Sequence, residues 1–353
     1  MTFRVEPVAD ANLDRYQAFI DSQLEATAYH NPGWLLATEQ AYGHRGWLIT
    51  ATDGGGELTG ALPVCQLRRP AGGQLVSLPF CDLGGPLADS TFEQAREALL
   101  TGALELMDRT GIHQLVLRER GQWLSDGQAG ELPGAGKVSL VAHLPETSVE
   151  LFDSFRAKLR SQIRKAEKNG LTASVETGPA ALKAFYPVFA ANMHRLGSPV
   201  HSRAWFAALK EHYGDRLVVG LVRLGHRPVA AGIVLIQGRS ACIPWASTLA
   251  EFNYLAPNML LYWQLLRYVT DNGCREFDFG RSTPGDGTYR FKRQWGAQPM
   301  ALRWRDYQSD GTLAERPATI QGRPRQWAEA CWQRLPLSVA NRIGPRVRKH
   351  ISL

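Results

Sequence analysis

Leu58-Thr59-Gly60-Ala61-Leu62 and Val229-Ala230-Ala231-Gly232-Ile233 read alike: each is a short apolar strand carrying a glycine. Each is followed, further on, by a helical pattern that stops at a glycine and then by another apolar strand. In the first block the pattern of residues 92–109 stops at Gly111, and Leu115 and Leu117 follow. In the second the pattern of 258–272 stops at Gly273, and Phe277 and Phe279 follow. Strand glycine and stop glycine lie 51 residues apart in block one and 41 in block two. The chain reads as a degenerate duplication of one strand–helix–strand unit.

Around these landmarks strands and helices alternate, which is the pattern of an α/β fold. In block one, Asn31 opens a short helix with Pro32 at its first position. Residues 47–52 and 58–67 read as strands about the turn Asp53-Gly54-Gly55-Gly56, and 74–79, 114–118 and 137–144 as further strands. Residues 121–136, rich in Gly, Ser and Asp, read as a flexible surface loop. In block two a helix over 154–168 sets Phe155, Leu159, Ile163 and Ala166 on one stripe, and helices follow near 180–193 and 202–213. Strands come next at 217–223, 229–236, 241–246 and 275–279. The helix over 258–272 is apolar almost all round, so it is buried.

At 353 residues the chain is long for one hydrophobic core, and two domains are expected. It contains no apolar run long enough to span a bilayer. Its first ten residues lack the basic start and apolar stretch of a signal peptide. The five cysteines form no CxxC pair and no cluster with metal-ligand spacing, so buried thiols in a reducing cytoplasm are expected. The net charge of +7 is uneven: residues 321–353 hold seven Arg/Lys against Glu329 alone, which leaves the body nearly neutral. Such a tail suits an anionic membrane surface, nucleic acid or an anionic substrate. No DNA-binding motif accompanies it.

The chemistry concentrates in Asp278-Phe279-Gly280-Arg281-Ser282-Thr283-Pro284-Gly285-Asp286-Gly287-Thr288-Tyr289-Arg290-Phe291-Lys292-Arg293-Gln294-Trp295-Gly296. A buried strand ends, a Gly/Pro/Asp loop turns, and four cations interleave with Tyr289, Phe291 and Trp295. Ligands sit at the carboxyl ends of strands in open α/β sheets. Cations among aromatics suit a phosphate-bearing ligand or a developing oxyanion. The plain alternative is a surface turn with solvated charges and Trp295 packed on the core. Asp278, between Phe277 and Phe279, is placed as a general base would be. His194 and His201 belong to no Ser/His/Asp or HExxH arrangement and read as hydrogen-bonding histidines.

This run resembles the C-terminal signature of FemAB-type transferases, where a strand reading Asp-Phe-Gly leads to Phe-Lys-x-x-(Phe/Trp)-Gly; Phe291-Lys292-Arg293-Gln294-Trp295-Gly296 fits it. The stretch from Leu159 to Gly170 is similar to the family's basic Arg/Lys-Ala-Glu-Lys-x-Gly helix, and Ala256-Pro257-Asn258-Met259 to its buried helix opened by Asn. A closer similarity is to the FemAB-related proteins of exosortase/PEP-CTERM systems. It rests on Leu78-Pro79-Phe80-Cys81-Asp82-Leu83-Gly84-Gly85-Pro86, Met193-His194-Arg195-Leu196-Gly197-Ser198-Pro199 and Arg281-Ser282-Thr283-Pro284.

The resemblance implies α/β (α+β) architecture as tandem duplicated GNAT-like (acyl-CoA N-acyltransferase-like) domains with mixed central sheets. They would cover residues 1–148 and 149–303, with a basic extension, 304–353, packing back on the first. It implies an N-acyltransferase with no permanently bound cofactor, taking an acyl or aminoacyl group from acyl-CoA or aminoacyl-tRNA. The acceptor would be an amine of a cell-envelope or exopolysaccharide precursor, with or without a lipid link. Lys292, an exposed loop lysine, would stabilise the oxyanion or leaving group, and Asp278 would remove a proton. Arg281, Arg290, Arg160 and Arg164 would hold an anionic part of donor or acceptor, with Tyr289 and Trp295 as walls and Asn258 at the adjoining helix start. Two features depart from the family. A strand at 171–176 leaves no room for the helical hairpin associated with tRNA, and no Gln/Arg-x-x-Gly-x-Gly/Ala loop precedes Asn258 to hold a pyrophosphate. The rival reading is a non-catalytic tandem that docks at the membrane through its basic tail. A cytoplasmic protein, peripheral to the membrane at most, is expected.

Overall fold

The computed structural model describes residues 1–69, 72–89, 93–132, 136–314 and 323–353. The chain forms two compact units: Met1–Gly121 with Leu302–Thr319 and Lys349–Leu353, and Gln122–Ala301 with Ile320–Arg348.

The first unit contains β1 (Thr2–Pro7), α1 (Asp10–Ser22), α2 (Pro32–Tyr42), β2 (Arg45–Thr52), β3 (Leu58–Arg69), β4 (Gly72–Val76), β5 (Leu87–Ala88), α3 (Glu93–Thr110) and β6 (Gln114–Trp123). Asn31 caps α2 by accepting the Gly33 N–H at 2.9 Å, as its place before a proline foretells. The strand order is β1-β2-β3-β4-β6, with β5 on β3. Neighbours from β1 to β4 are antiparallel, whereas β4 and β6 pair in parallel through Leu75↔Leu115 and Val76↔Val116. A parallel pair needs a long crossover, and α3 supplies it. A Cβ on Gly60 would lie 3.1 Å from Leu99 and 3.4 Å from Ala95, both on α3, so the glycine lets the helix settle on β3.

The second unit contains α4 (Asp126–Gly130), β7 (Val138–His143), α5 (Ser148–Ser154), α6 (Ala157–Lys168), β8 (Leu171–Glu176), α7 (Pro179–Arg195), α8 (Arg203–Tyr213), β9 (Leu217–Leu224), β10 (Arg227–Gln237), β11 (Ser240–Thr248), α9 (Pro257–Asp271), β12 (Glu276–Ser282) and α10 (Gly287–Arg293). Then come β13 (Gln298–Gln308), which begins in this unit, α11 (Arg323–Arg334) and α12 (Leu337–Arg348). The order is β7-β12-β11-β10-β9-β8. Strands β8 to β11 are antiparallel neighbours, and β11 pairs in parallel with β12 across the α9 crossover. A Cβ on Gly232 would stand 3.2 Å from the Trp245 carbonyl and 3.4 Å from Leu265 of α9. The two strand glycines thus serve one purpose in two copies of one unit: four antiparallel strands, a crossover helix, a parallel strand.

Several expectations need correcting. The leading stretch of the first unit stops at Gly121, not 148, because β7 pairs with β12 and with the part of β13 in the second unit. The helix expected over 154–168 begins only at Ala157; Ser154 ends a separate helix, α5, and Phe155 and Arg156 between the two are extended. The loop read at 121–136 holds α4, started by the Ser125–Gln128 capping box. Strands β1 and β13 and helix α1 are present in addition to the expected elements. The basic extension divides: Lys349–Leu353 joins the first unit, but α11 and α12 pack on α7 of the second. There His194 meets the Leu335 carbonyl at 2.8 Å, and a Cβ on Gly344 would crowd Val200. Pro345 lies inside α12 and does not end it. Four cysteines are buried, but Cys331 is exposed. Among the described residues no helix is long and apolar enough to cross a membrane.

One buried group makes the first unit acid-sensitive. His30 is 4% exposed, accepts the Thr27 N–H on Nδ1 and so donates from Nε2 to the Gly85 carbonyl. Burial, with the charge of Arg120 adding to it, holds its pKa down at about 4. The unfolded chain therefore takes up a proton near the ordinary 6.5 that the folded chain refuses, so stability is lost as pH falls from there to about 4. The expected loss is about 3 kcal/mol. Urea midpoints across this range should fall less steeply in His30→Gln; equal slopes would remove His30 from the effect.

Candidate functional site

The parallel ladder of β11 and β12 is short: it runs from Ser240↔Glu276 to Cys242↔Asp278 and stops. Both strands continue, β11 to Thr248 and β12 to Ser282, so they part at their carboxyl ends. That is where α/β sheets receive ligands. Helix α9 begins after Ala256, held in the left-handed conformation at φ 59°. Asn258, its second residue, is half-buried, and its side chain has no hydrogen-bond partner among the described residues.

Strand β12 is irregular just past the ladder. Its pairing with β7 shifts between Asp278 and Arg281, and Gly280 takes φ 75°. The two residues expected to be catalytic meet at that glycine. Asp278, 4% exposed, accepts the Gly280 N–H at 2.7 Å and the Ser139 hydroxyl at 2.5 Å. Lys292 donates from Nζ to the carbonyls of Gly280 and Arg281, both at 3.0 Å. One side chain thus holds the N–H of the Gly280 residue and the other its C=O. Lys292 is not an exposed loop residue: it lies on α10 and is half-buried, because the run Gly287–Arg293 is helical.

The aromatic residues fall inward rather than around a ligand. Trp295 is 1% exposed, edge-on to Phe155 at 5.5 Å and stacked on Tyr262 at 6.0 Å. An indole buries so much apolar area that the core claims it, and Trp295 is a packing residue, not an open wall. Tyr289 is 7% exposed, and its hydroxyl donates to Asp126 of α4. Burial first, then this bond, pushes its pKa up to about 12. Asp126 also receives Arg293 at 2.8 Å, and the Tyr289 bond is the main reason its carboxyl sits below the usual range. The sequence reading missed Asp126; the capping box at Ser125 was its signal.

The cations scatter. Arg290 is exposed and donates to the Gly285 carbonyl at 2.8 Å, while Arg281 lies half-buried at the irregular turn of β12. On α6, Arg160 donates to the Asp153 carbonyl at 3.1 Å, and the Arg164 guanidinium lies 5.4 Å from the Phe152 ring. A second missed residue is Tyr262, one turn after Asn258 and so on the same face of α9. Its ring stacks on Phe279 at 5.7 Å, and burial pushes its phenol well above the ordinary range, so it stays a proton donor at neutral pH.

The start of α9 fits a pyrophosphate poorly. The N–H groups of Phe252 and Ala256 are already bonded to the Leu249 and Asn253 carbonyls, and Pro257 has none. Among the described residues no three or more His, Cys, Asp or Glu are grouped to hold a metal.

Residues 153–293 match a family model described as an acetyltransferase (GNAT) domain. No curated protein matches the chain. Among solved structures it is similar to the crystal structure of FemX, at 15% identity and TM-score 0.67, covering 86% of this chain and 97% of that one. The C-terminal domain of a putative lysylphosphatidylglycerol synthetase from Agrobacterium fabrum aligns at 14% identity and TM-score 0.51 over 83% and 91% of the two chains. A tandem GNAT protein from the clavulanic acid biosynthesis pathway aligns at 13% and 0.51 over 87% and 98%. At these identities the likeness is one of fold, and the fold is a tandem of GNAT-like units.

Proposed function

We propose that the second unit is an N-acyltransferase site that moves an acyl or aminoacyl group directly onto an amine of a cell-envelope or exopolysaccharide precursor. The observation that carries this is the convergence of Asp278 and Lys292 on Gly280, where β11 and β12 part. In the reaction the amine nitrogen attacks the donor carbonyl carbon and the C–O or C–S bond to the carrier breaks. One proton passes from the nitrogen to the leaving oxygen or sulfur. Asp278 takes that proton and returns it to the leaving atom, the Lys292 ammonium offsets the oxyanion, and the Tyr262 phenol keeps its proton and donates a hydrogen bond to the leaving atom. Orientation does the rest, and no protein nucleophile is required.

The donor is an ester or thioester on a large carrier, aminoacyl-tRNA or acyl-CoA. The closed turn before α9 speaks against a tightly held pyrophosphate. The acceptor side is supported by α12, where Val339, Ile343 and Val347 are 38–40% exposed in one stripe beside the exposed Arg342 and Arg346. Helices of this composition lie at anionic membrane surfaces, where each cation contributes about 1 kcal/mol. The purified chain, given charged tRNA or acyl-CoA with envelope extract, should label an amine-bearing product with one donor. Anionic vesicles should raise the yield at low salt. No labelling from either donor would favour a non-catalytic tandem.

A further inference from the structure

The first unit holds a cavity of about 320 Å³ that the transfer reading does not use. That volume is in the range of small-ligand sites, roughly 300–1,000 Å³. Its wall is unusually rich in arginine: Arg118 and Arg120 from β6, Arg303 and Arg305 from β13, and Arg96 from α3. Residues two apart on a strand face the same way, so each strand presents a pair. Only two carboxylates, Glu25 and Glu119, share the lining, which leaves an excess of three positive charges.

The cavity is built, not incidental. Gly84 and Gly85 lie against β6, where a Cβ on Gly85 would stand 2.7 Å from the Arg118 carbonyl and 2.8 Å from the Glu119 side chain. His30 fixes the same loop by donating to the Gly85 carbonyl at 3.0 Å. The arginines have different duties. Arg118 is 3% exposed and holds the carbonyls of Leu78 and Cys81 at 2.9 and 2.6 Å. Arg96 pairs with Glu119, and Arg305 bonds Tyr307. Arg303 is exposed and makes no hydrogen bond or ion pair among the described residues. Arg96, Arg118 and Arg305 each have a structural partner, Arg303 has none among the described residues, and like charges gathered on one wall repel. A guanidinium fork matches two oxygens of a phosphate.

We propose that this cavity binds a phosphate-bearing anion of two or more charges, with Arg303 and Arg120 as its clamps and Arg96 shared between the ligand and Glu119. This is independent of the acyl-transfer reading, because binding alone tests it. Inorganic pyrophosphate, titrated calorimetrically into the full chain at constant ionic strength, should bind saturably at one site. Arg303→Ala should weaken it about ten- to a hundred-fold with the thermal midpoint unchanged, the loss expected for one charge-assisted bond. Arg120→Ala should do the same, and if it fails to fold Arg303→Ala decides. Separate arms with a soluble nucleoside diphosphate and with vesicles carrying phosphatidic acid identify the source, by which of them shows the Arg303 dependence. Absent saturation, pyrophosphate binding indifferent to Arg303, or citrate binding as tightly as pyrophosphate would each overturn the proposal.

Discussion

Lys292→Ala should lower transfer roughly ten- to a thousand-fold, the range for losing one positioned donor to a developing oxyanion. It should also destabilise the fold by about 1–3 kcal/mol, since two carbonyls lose a charged partner. The second effect follows from geometry: the Lys292 ammonium ties Gly280 and Arg281, where β12 leaves its regular pairing. The two effects must be separated by measuring initial rates and urea unfolding on the same preparations and normalising to folded protein. Wild-type turnover in the folded fraction would leave Lys292 a purely structural residue and favour the scaffold reading.

Trp295→Ala should cost about 3–5 kcal/mol, the range for truncating a buried large aromatic. The indole is packed by Phe155, Tyr262 and Phe291, so no neighbour can swing in to fill the space without leaving its own ring contacts. Trp295→Phe should recover most of the loss. Chemical unfolding gives the figure, and KM measured on Trp295→Phe tests the role. A variant as stable as wild type but with a much higher KM would restore Trp295 as a ligand-facing wall.

What the sequence disclosed was the part of the fold written in period and punctuation. Gly60 and Gly232 marked the strands under crossover helices, Gly111 and Gly273 ended those helices, and Asn31-Pro32 opened α2. Long-range pairing left weaker marks. In the run 298–308 the alternation is brief, Met300, Leu302 and Trp304 against Arg303 and Arg305, and β13 passes from one unit into the other along its length. The stretch around Lys292 looked like a loop because Gly285 and Gly287 precede it, yet seven residues after Asp286 are helical. At the site, residue types pointed to Asp278 and Lys292 but not to their common attachment at Gly280, which depends on a bulge. Tyr262 and Asp126 were invisible as site residues because their significance lies in partners 17 and 163 residues away.

The first unit is threaded from both ends of the chain. Its β6 arginine, Arg118, rests partly on Ser352, whose carbonyl accepts from it at 3.3 Å and whose hydroxyl also bonds its guanidinium. The Asp82 carbonyl accepts the Trp304 indole N–H at 2.9 Å. A fragment stopping at residue 148 would keep Arg118 and Asp82 and lose both partners. It would leave a buried cation short of acceptors, a defect that costs more than the contacts it replaces. Residues 1–148 are therefore not a separable half of this protein. The shortest length of chain that carries the whole first unit is the full 353 residues, so the arginine cavity and its supports can be assayed only in intact protein.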